Sequence, residues 1–202
     1  MVRLRDPGAA DSDQPPPLLH LRCANARTLY NMLRAVQFRE TGMVQGCETG
    51  LKVTVEDLRC IQISAFLQKS IFQEYTLREE SVNFKIHLGL LCECLNVFGT
   101  PANASSHPSC ELSYQGPGRS LKLVLEENGV VTDCAIRTMD PDEILDFDFS
   151  AENVVNKIII QSEFLRNAFA ELDPSSELAE IIILPNAFKV QASGPCGEVE
   201  VS

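Results

Sequence analysis

The sequence predicts an α+β fold made of two copies of one unit, each running strand, helix, strand, strand, strand. Three observations predict it. Short runs alternate apolar and polar residues with period two, the pattern of strands with one buried face. Other runs repeat apolar residues at intervals of three and four, the stripe of an amphipathic helix. The same element order then recurs at one offset: Leu19 and Lys157 stand 138 residues apart, and Leu51 and Phe188 stand 137 apart. A repeat of that size implies a duplicated domain.

The elements follow in order. Leu18–Cys23 alternates and predicts a strand. Asn25 can accept a hydrogen bond from the first helical turn, and Leu29, Met32, Leu33 and Val36 then form one stripe, so a helix is expected over 25–38. Met43–Cys47, Leu51–Val55, Cys60–Phe66, Phe72–Leu77 and Val82–Ile86 predict strands. Leu88–Phe98 carries Leu91, Cys94, Leu95 and Phe98 on one side and predicts a second helix. A Ser-, Asn- and Pro-rich loop follows over 99–108. Glu111–Gln115, Leu121–Glu126 and Val130–Arg137 predict three more strands, the last two joined by Asn128-Gly129, a strong hairpin signal. Thr138–Phe149 is acidic and opens on a Pro-containing turn, which predicts a connector. Beyond it, Lys157–Gln161 predicts a strand and Ser162–Leu172 a helix, with Phe164, Leu165, Ala168, Phe169 and Leu172 on one side. Strands are expected at Ala179–Leu184 and Phe188–Ala192, with another beginning at Glu198. Residues 1–17 then form a disordered leader, 18–137 a first domain, 138–153 a connector and 154–202 an incomplete second domain. By the repeat logic, a full second copy would end about 70 residues beyond Ser202.

Composition bounds the function. The 202 residues carry 17 basic and 28 acidic side chains, a net charge of −11. Residues 1–120 balance at 12 basic and 12 acidic, so the last 82 residues, with 5 basic and 16 acidic, hold the whole deficit. That balance argues against gripping DNA by bulk charge. No run of 18 apolar residues occurs, so no membrane partner is expected. The leader has no apolar stretch after its arginines and is not a secretory signal. Eight cysteines occur without a CxxC pair, and three histidines are scattered, so a zinc site and a disulfide framework are both disfavoured. Free thiols in a reducing compartment are expected, hence the cytosol or nucleus.

Four groups of residues are candidates for function. Arg27 and Arg34 share the polar face of the first helix, and Arg166 stands on the corresponding helix of the second unit. They form either a solvated face or a loose phosphate-contacting surface. The strand Val130, Val131, Thr132, Asp133, Cys134, Ala135, Ile136, Arg137 is either internal or an edge that another chain's sheet could extend. Ile144, Leu145, Phe147 and Phe149 lie in the connector, where alternation with Asp146 and Asp148 fits a half-buried strand or an apolar docking patch. The carboxylates Asp140, Asp142, Glu143, Asp146 and Asp148 lack the spacing of a calcium loop, and a single connector seldom gathers a two-metal site. No phosphate-binding loop, nucleophile elbow or zinc-protease motif occurs, so no catalytic residue, metal or cofactor is assigned.

The segments LRAVQFRETG, GLKVTVEDLRCIQISAFLQKSIFQEY, LEENGVVTDCAIRT, EILDFDF and NVVNKIIIQSEFLRNAFAELD together resemble the Rad-one family of PCNA-like sliding clamps, over roughly residues 18–193. The resemblance implies a PCNA-like fold of duplicated strand–helix–strand units, with antiparallel sheets outside and helices lining the hole. It implies a non-catalytic subunit of the heterotrimeric 9-1-1 checkpoint clamp in the nucleus, placed around double-stranded DNA by a clamp loader. Its partners would be Rad-nine and Hus-one type subunits, with repair enzymes docking at the connector. On this pattern Arg27, Arg34 and Arg166 face DNA, and 130–137 is a subunit edge. Such a ring holds DNA by topology, so an acidic chain can belong to it. A 3′→5′ exonuclease activity attributed to the family is one alternative. Another is a truncated isoform that binds partners without completing the ring.

Overall fold

A computed structural model describes residues 15–99, 107–145, 152, 154–194 and 197–201. The chain divides after Leu145 into two compact units.

The first unit holds two five-stranded antiparallel sheets. Its elements in order are β1 (Leu19–Cys23), α1 (Ala26–Val36), β2 (Thr41–Cys47), β3 (Gly50–Asp57), β4 (Ile61–Gln68), a 3-10 turn (Lys69–Ile71), β5 (Glu74–Leu77) and β6 (Ser81–His87). α2 (Leu88–Leu95), β7 (Ser109–Tyr114), β8 (Leu121–Glu127), β9 (Val130–Ile136) and β10 (Thr138–Met139) complete it. The first sheet runs β5-β1-β7-β8-β9 and the second β10-β6-β2-β3-β4. Period-two alternation turns Leu19, Leu21, Leu112, Leu123 and Leu125 of the first sheet into the same core as Val44, Val53, Val55, Phe84 and Ile86 of the second. The rings of Phe84 and Tyr114 meet at 4.3 Å between centroids and join the two sheets. Stacked ring pairs contribute about 0.5–1.5 kcal/mol beyond the area they bury.

The helices behave as their stripes require. Asn25 Oδ1 accepts from the Arg27 N–H at 2.9 Å, and Ala26, Leu29, Leu33 and Val36 are buried on one side of α1. α2 buries Leu88, Leu91, Cys92 and Leu95 and packs on α1, β2, β6 and β9. His87 Nδ1 caps it by accepting from the Leu90 N–H at 3.1 Å. The expected helix to Phe98 is shorter in the structure, because Asn96 caps it and Gly99 turns at φ 66°.

Two local features fix the joint between the sheets. Gly50 sits at φ 143°, where a Cβ would lie 2.2 Å from the Leu67 carbonyl oxygen, so only glycine fits. Across from it, the Tyr75 hydroxyl of β5 lies 2.8 Å from the Cys47 carbonyl oxygen and 2.7 Å from that of Gly50, tying the first sheet to the β2–β3 turn. Burial pushes the Tyr75 phenol up to about 12.

The second unit contains α3 (Ser162–Glu171) and a three-stranded sheet β11-β12-β13 (Leu178–Leu184, Ala187–Gly194, Gly197–Val201). The strand expected at Lys157–Gln161 does not form: residues 157–161 have no ladder partner among the described residues, and a strand exists only as part of a ladder. No residue of α3 is buried, and Phe164 remains 68% exposed.

Candidate assembly edge and helix face

Among the described residues β9 is the last strand of its sheet and pairs on one side only, with β8, from Leu121↔Ile136 to Glu127↔Val130. The turn between them has Asn128 at φ 52° and Gly129 at φ 79°, the left-handed pair that a two-residue hairpin with right-handed twist demands. Glu127 and Val130, which flank that turn, form a hydrogen-bonded pair, and the pairs alternate from there. The N–H groups of Thr132, Cys134 and Ile136 therefore point to β8, while those of Val131, Asp133 and Ala135 point outward. The side chains follow a related division. Ile136 is buried, Thr132 and Cys134 are half-buried, and Val130, Val131, Asp133, Ala135 and Arg137 are exposed. β9 thus offers a row of free backbone groups, the geometry of strand addition.

The helix face differs from the expectation of two equivalent arginines. Arg27 Nη1 donates to Asn96 Oδ1 at 3.2 Å and to the Gly99 carbonyl at 2.9 Å, and its guanidinium lies over the Tyr30 ring at 5.8 Å. It fastens α1 to the end of α2. Arg34 is exposed and donates only to Gln37 of its own chain turn, at 2.9 Å. Arg166 is exposed on α3. Glu93 is exposed on α2. Of the first unit's two candidate arginines, Arg34 is the one that presents its charge to solvent.

The start of the connector is anchored more firmly than alternation suggested. Thr138 and Met139 form β10 and pair with Ile86 and Lys85 of β6. Asp142 meets Lys85 Nζ at 2.6 Å, and Glu56 Oε2 accepts from the Leu145 N–H at 3.0 Å and from Gln62 Nε2 at 3.1 Å. Gln62 in turn donates to the Leu145 carbonyl at 2.9 Å. A cleft of about 130 Å³ lies along this seam, lined by Met43, Glu56, Lys85, Asp142, Glu143 and Ile144 among others. Ile144 and Leu145 are 37% and 36% exposed at its end. Phe147 and Phe149, and with them Asp146 and Asp148, lie outside the described residues. Asp142 is engaged by Lys85, and among the described residues no three His, Cys, Asp or Glu side chains gather as metal ligands.

Sequence reasoning missed two exposed apolar features. Ile61 and Ile63 share the face of β4 that buries Ala65 and Leu67, yet stay 55% and 41% exposed. Leu58 and Arg59 hold the β3–β4 turn at φ 47° and 58°, and Leu58 projects with 85% of its surface in solvent. Left-handed backbone at residues other than glycine costs about 1–2 kcal/mol each and no turn-forming residue marks the place.

Comparison with known proteins puts these elements in context. The family model described as "Repair protein Rad1/Rec1/Rad17" matches residues 18–202. The chain is 46% identical over 175 residues to "Cell cycle checkpoint protein RAD1" of Homo sapiens, covering 86% of this chain and 62% of that protein. It is 36% identical over 89 residues to "DNA repair exonuclease REC1" of Mycosarcoma maydis, covering 44% of this chain and 19% of that one. Among solved structures, proliferating cellular nuclear antigen from Entamoeba histolytica superimposes with a TM-score of 0.66 at 14% identity, covering 92% of this chain and 73% of the other.

Proposed function

The chain belongs to the Rad1/Rec1/Rad17 family of repair proteins and has the PCNA-like sliding-clamp fold, and from these two facts we propose that it acts as a non-catalytic subunit of a heterotrimeric checkpoint clamp around DNA. One observation carries the reading: β9 closes its sheet with outward N–H groups at Val131, Asp133 and Ala135, and a neighbouring subunit's strand can pair with them. The neighbours in this reading are Rad-nine and Hus-one type subunits, a clamp loader opens the ring, and the site of action is the nucleus. The helices α1 and α2 face the DNA, with Arg34 as a weak phosphate contact and Arg27 as the residue that holds the two helices together. Topological enclosure needs few such contacts, so the net charge of −11 is compatible with it. The connector, running past Ile144 and Leu145 toward Phe147 and Phe149, serves as the docking place for repair enzymes.

The test is co-expression with the two other subunits, purification, and loading onto nicked circular DNA. A stable heterotrimer that the loader leaves on the circle and that slides off after linearisation is expected. A heterotrimer that never loads favours a partner-binding chain that completes no ring, and no heterotrimer at all overturns the reading.

A second reading, an exonuclease, is favoured by the likeness to the Mycosarcoma maydis relative, which is named a DNA repair exonuclease; the 3′→5′ polarity is the one the family resemblance implies. End-labelled DNA incubated with the purified chain and Mg²⁺ decides it. Degradation that disappears in the Asp146→Asn, Asp148→Asn double variant would replace the clamp reading with an enzymatic one.

A further inference from the structure

The second unit has an edge of its own. Among the described residues β11 pairs with β12 alone. The matching strand of the first unit, β2, stands 137 residues earlier and is flanked on both sides, by β3 and β6. β11 reads Leu-Ala-Glu-Ile-Ile-Ile-Leu, and six of its seven residues are exposed, Leu178 at 80% and Ile181 at 54%. Natural sheets blunt a free edge with lysine, proline or a bulge, and β11 carries none of these along its unbroken register with β12. Leu184 and Ala187 flank a two-residue turn and form a hydrogen-bonded pair. The backbone groups of Leu178, Glu180, Ile182 and Leu184 therefore face β12, and those of Ala179, Ile181 and Ile183 face outward.

The symmetry of the strand decides what fits this edge. Antiparallel pairing of β11 with itself about Ile181 sets Leu178 opposite Leu184, Ala179 opposite Ile183, Glu180 opposite Ile182 and Ile181 opposite itself. All seven residues are then paired, and the three outward residues of one copy meet the three of the other in hydrogen-bonded positions. Moving the two-fold axis to Glu180 or Ile182 leaves only five residues paired. The paired side chains are apolar except Glu180. No charge stands directly opposite it, and Gln191 Nε2 of β12 already donates to it at 2.8 Å. We propose that β11 is a self-association edge, covered by a second copy of this chain through antiparallel β11–β11 pairing about Ile181. The pair is isologous and closes on itself, so it stops at a dimer. It joins two three-stranded sheets into one of six strands, ordered β13-β12-β11-β11-β12-β13. The assignment does not rest on the clamp reading, because β9 and β11 belong to different units.

The experiment follows the mass of the full chain by light scattering after size exclusion, over graded concentrations. The natural chain is expected to pass from a monomer to a species of twice its mass as concentration rises. Ile181→Lys sets two like charges directly opposite each other at the axis and is expected to keep the chain monomeric over the same range, with its circular dichroism unchanged. Ile181→Cys tests the register itself. Hydrogen-bonded partners stand about 5.5 Å apart at Cα, within disulfide reach, so mild oxidation is expected to join two chains at position 181. The same substitution at Ile182 joins none, because Ile182 faces Glu180 of the other copy. Peptide mapping by mass spectrometry separates this link from any made by the natural cysteines. Should Ile181→Lys fail to fold, the link at position 181 decides alone. A natural chain that stays monomeric leaves the edge to a strand of another protein and overturns the proposal. A dimer that Ile181→Lys leaves intact, a dimer that Ile181→Cys leaves unlinked, or a ladder of higher oligomers overturns it too.

Discussion

The helices α1 and α3 carry the same kind of apolar stripe, and the molecule treats them oppositely. In α1, Leu29, Leu33 and Val36 are buried together with Ala26, the helix is capped by the Asn25 side chain, and two five-stranded sheets contribute to the core beneath it. In α3, Phe164, Leu165 and Phe169 line up just as regularly, but no residue is buried, no side chain caps the start at Gln161, and the unit's sheet has three strands. A stripe states which face of a helix can be buried; burial itself is supplied by the elements that cover that face. The same contrast separates Leu19–Cys23, flanked by β5 and β7, from Lys157–Gln161, which matches it in the repeat and forms no ladder.

The contrast can be broken by substitution. The largest effect is expected for Leu33→Ala, which leaves a cavity under α1 and costs about 2–5 kcal/mol, whereas Phe169→Ala on the exposed α3 stays within about 0.5 kcal/mol. Chemical denaturation followed by a probe in each unit measures both, and equal losses would erase the distinction. Next comes Tyr75→Phe, which removes the hydroxyl serving the Cys47 and Gly50 carbonyls and costs about 1–3 kcal/mol in thermal unfolding. The same residue sets a pH signature in the first unit. Its folded pKa of about 12 stands above the ordinary tyrosine value of about 10. Its contribution is therefore complete below pH 10 and is lost as pH rises from there to 12, and Tyr75→Phe flattens that part of the alkaline unfolding profile.

Smaller effects sharpen the comparison of helix ends. Asn25→Ala deletes the bond to the Arg27 N–H and lowers stability by about 1 kcal/mol, while Gln161→Asp gives α3 the cap it lacks and gains up to about 1 kcal/mol in helix content measured by circular dichroism. At the bottom of the scale, Arg34→Glu changes folding stability by less than about 0.5 kcal/mol, since its side chain reaches only Gln37. It weakens clamp retention on DNA at low salt while the heterotrimer still forms. Arg27→Glu, by contrast, destabilises the first unit, because Asn96, Gly99 and Tyr30 lose their common partner.

Most strands and the three α-helices among the described residues were legible because their signals are local. Alternation at Val82–Ile86 and Leu121–Glu126, the Leu29, Leu33, Val36 stripe and the Asn128-Gly129 turn each lie within a few residues. What stayed hidden is relational. β10 is two residues long and exists only by pairing with β6. His87 caps α2 through a ring nitrogen, and histidine is not a residue that announces a helix start. Arg27 looked equivalent to Arg34 because spacing fixes the face and not the partners, and its partners lie 69 and 72 residues away. Where β9 falls in its sheet is another such fact, since alternation reads the same in an edge strand and an internal one.

The measurement that bears most directly on the clamp reading is the effect of Ala135→Pro on assembly. The Ala135 N–H points away from β8, so proline there removes a donor from the free edge and none from the sheet. Cys134→Pro is the control, because the Cys134 N–H faces β8 and its loss harms the isolated chain as well. The account predicts that Ala135→Pro leaves the isolated chain soluble with its melting temperature within a few degrees of the natural one, while the yield of heterotrimer with Rad-nine and Hus-one type subunits collapses. An undiminished heterotrimer yield would contradict it.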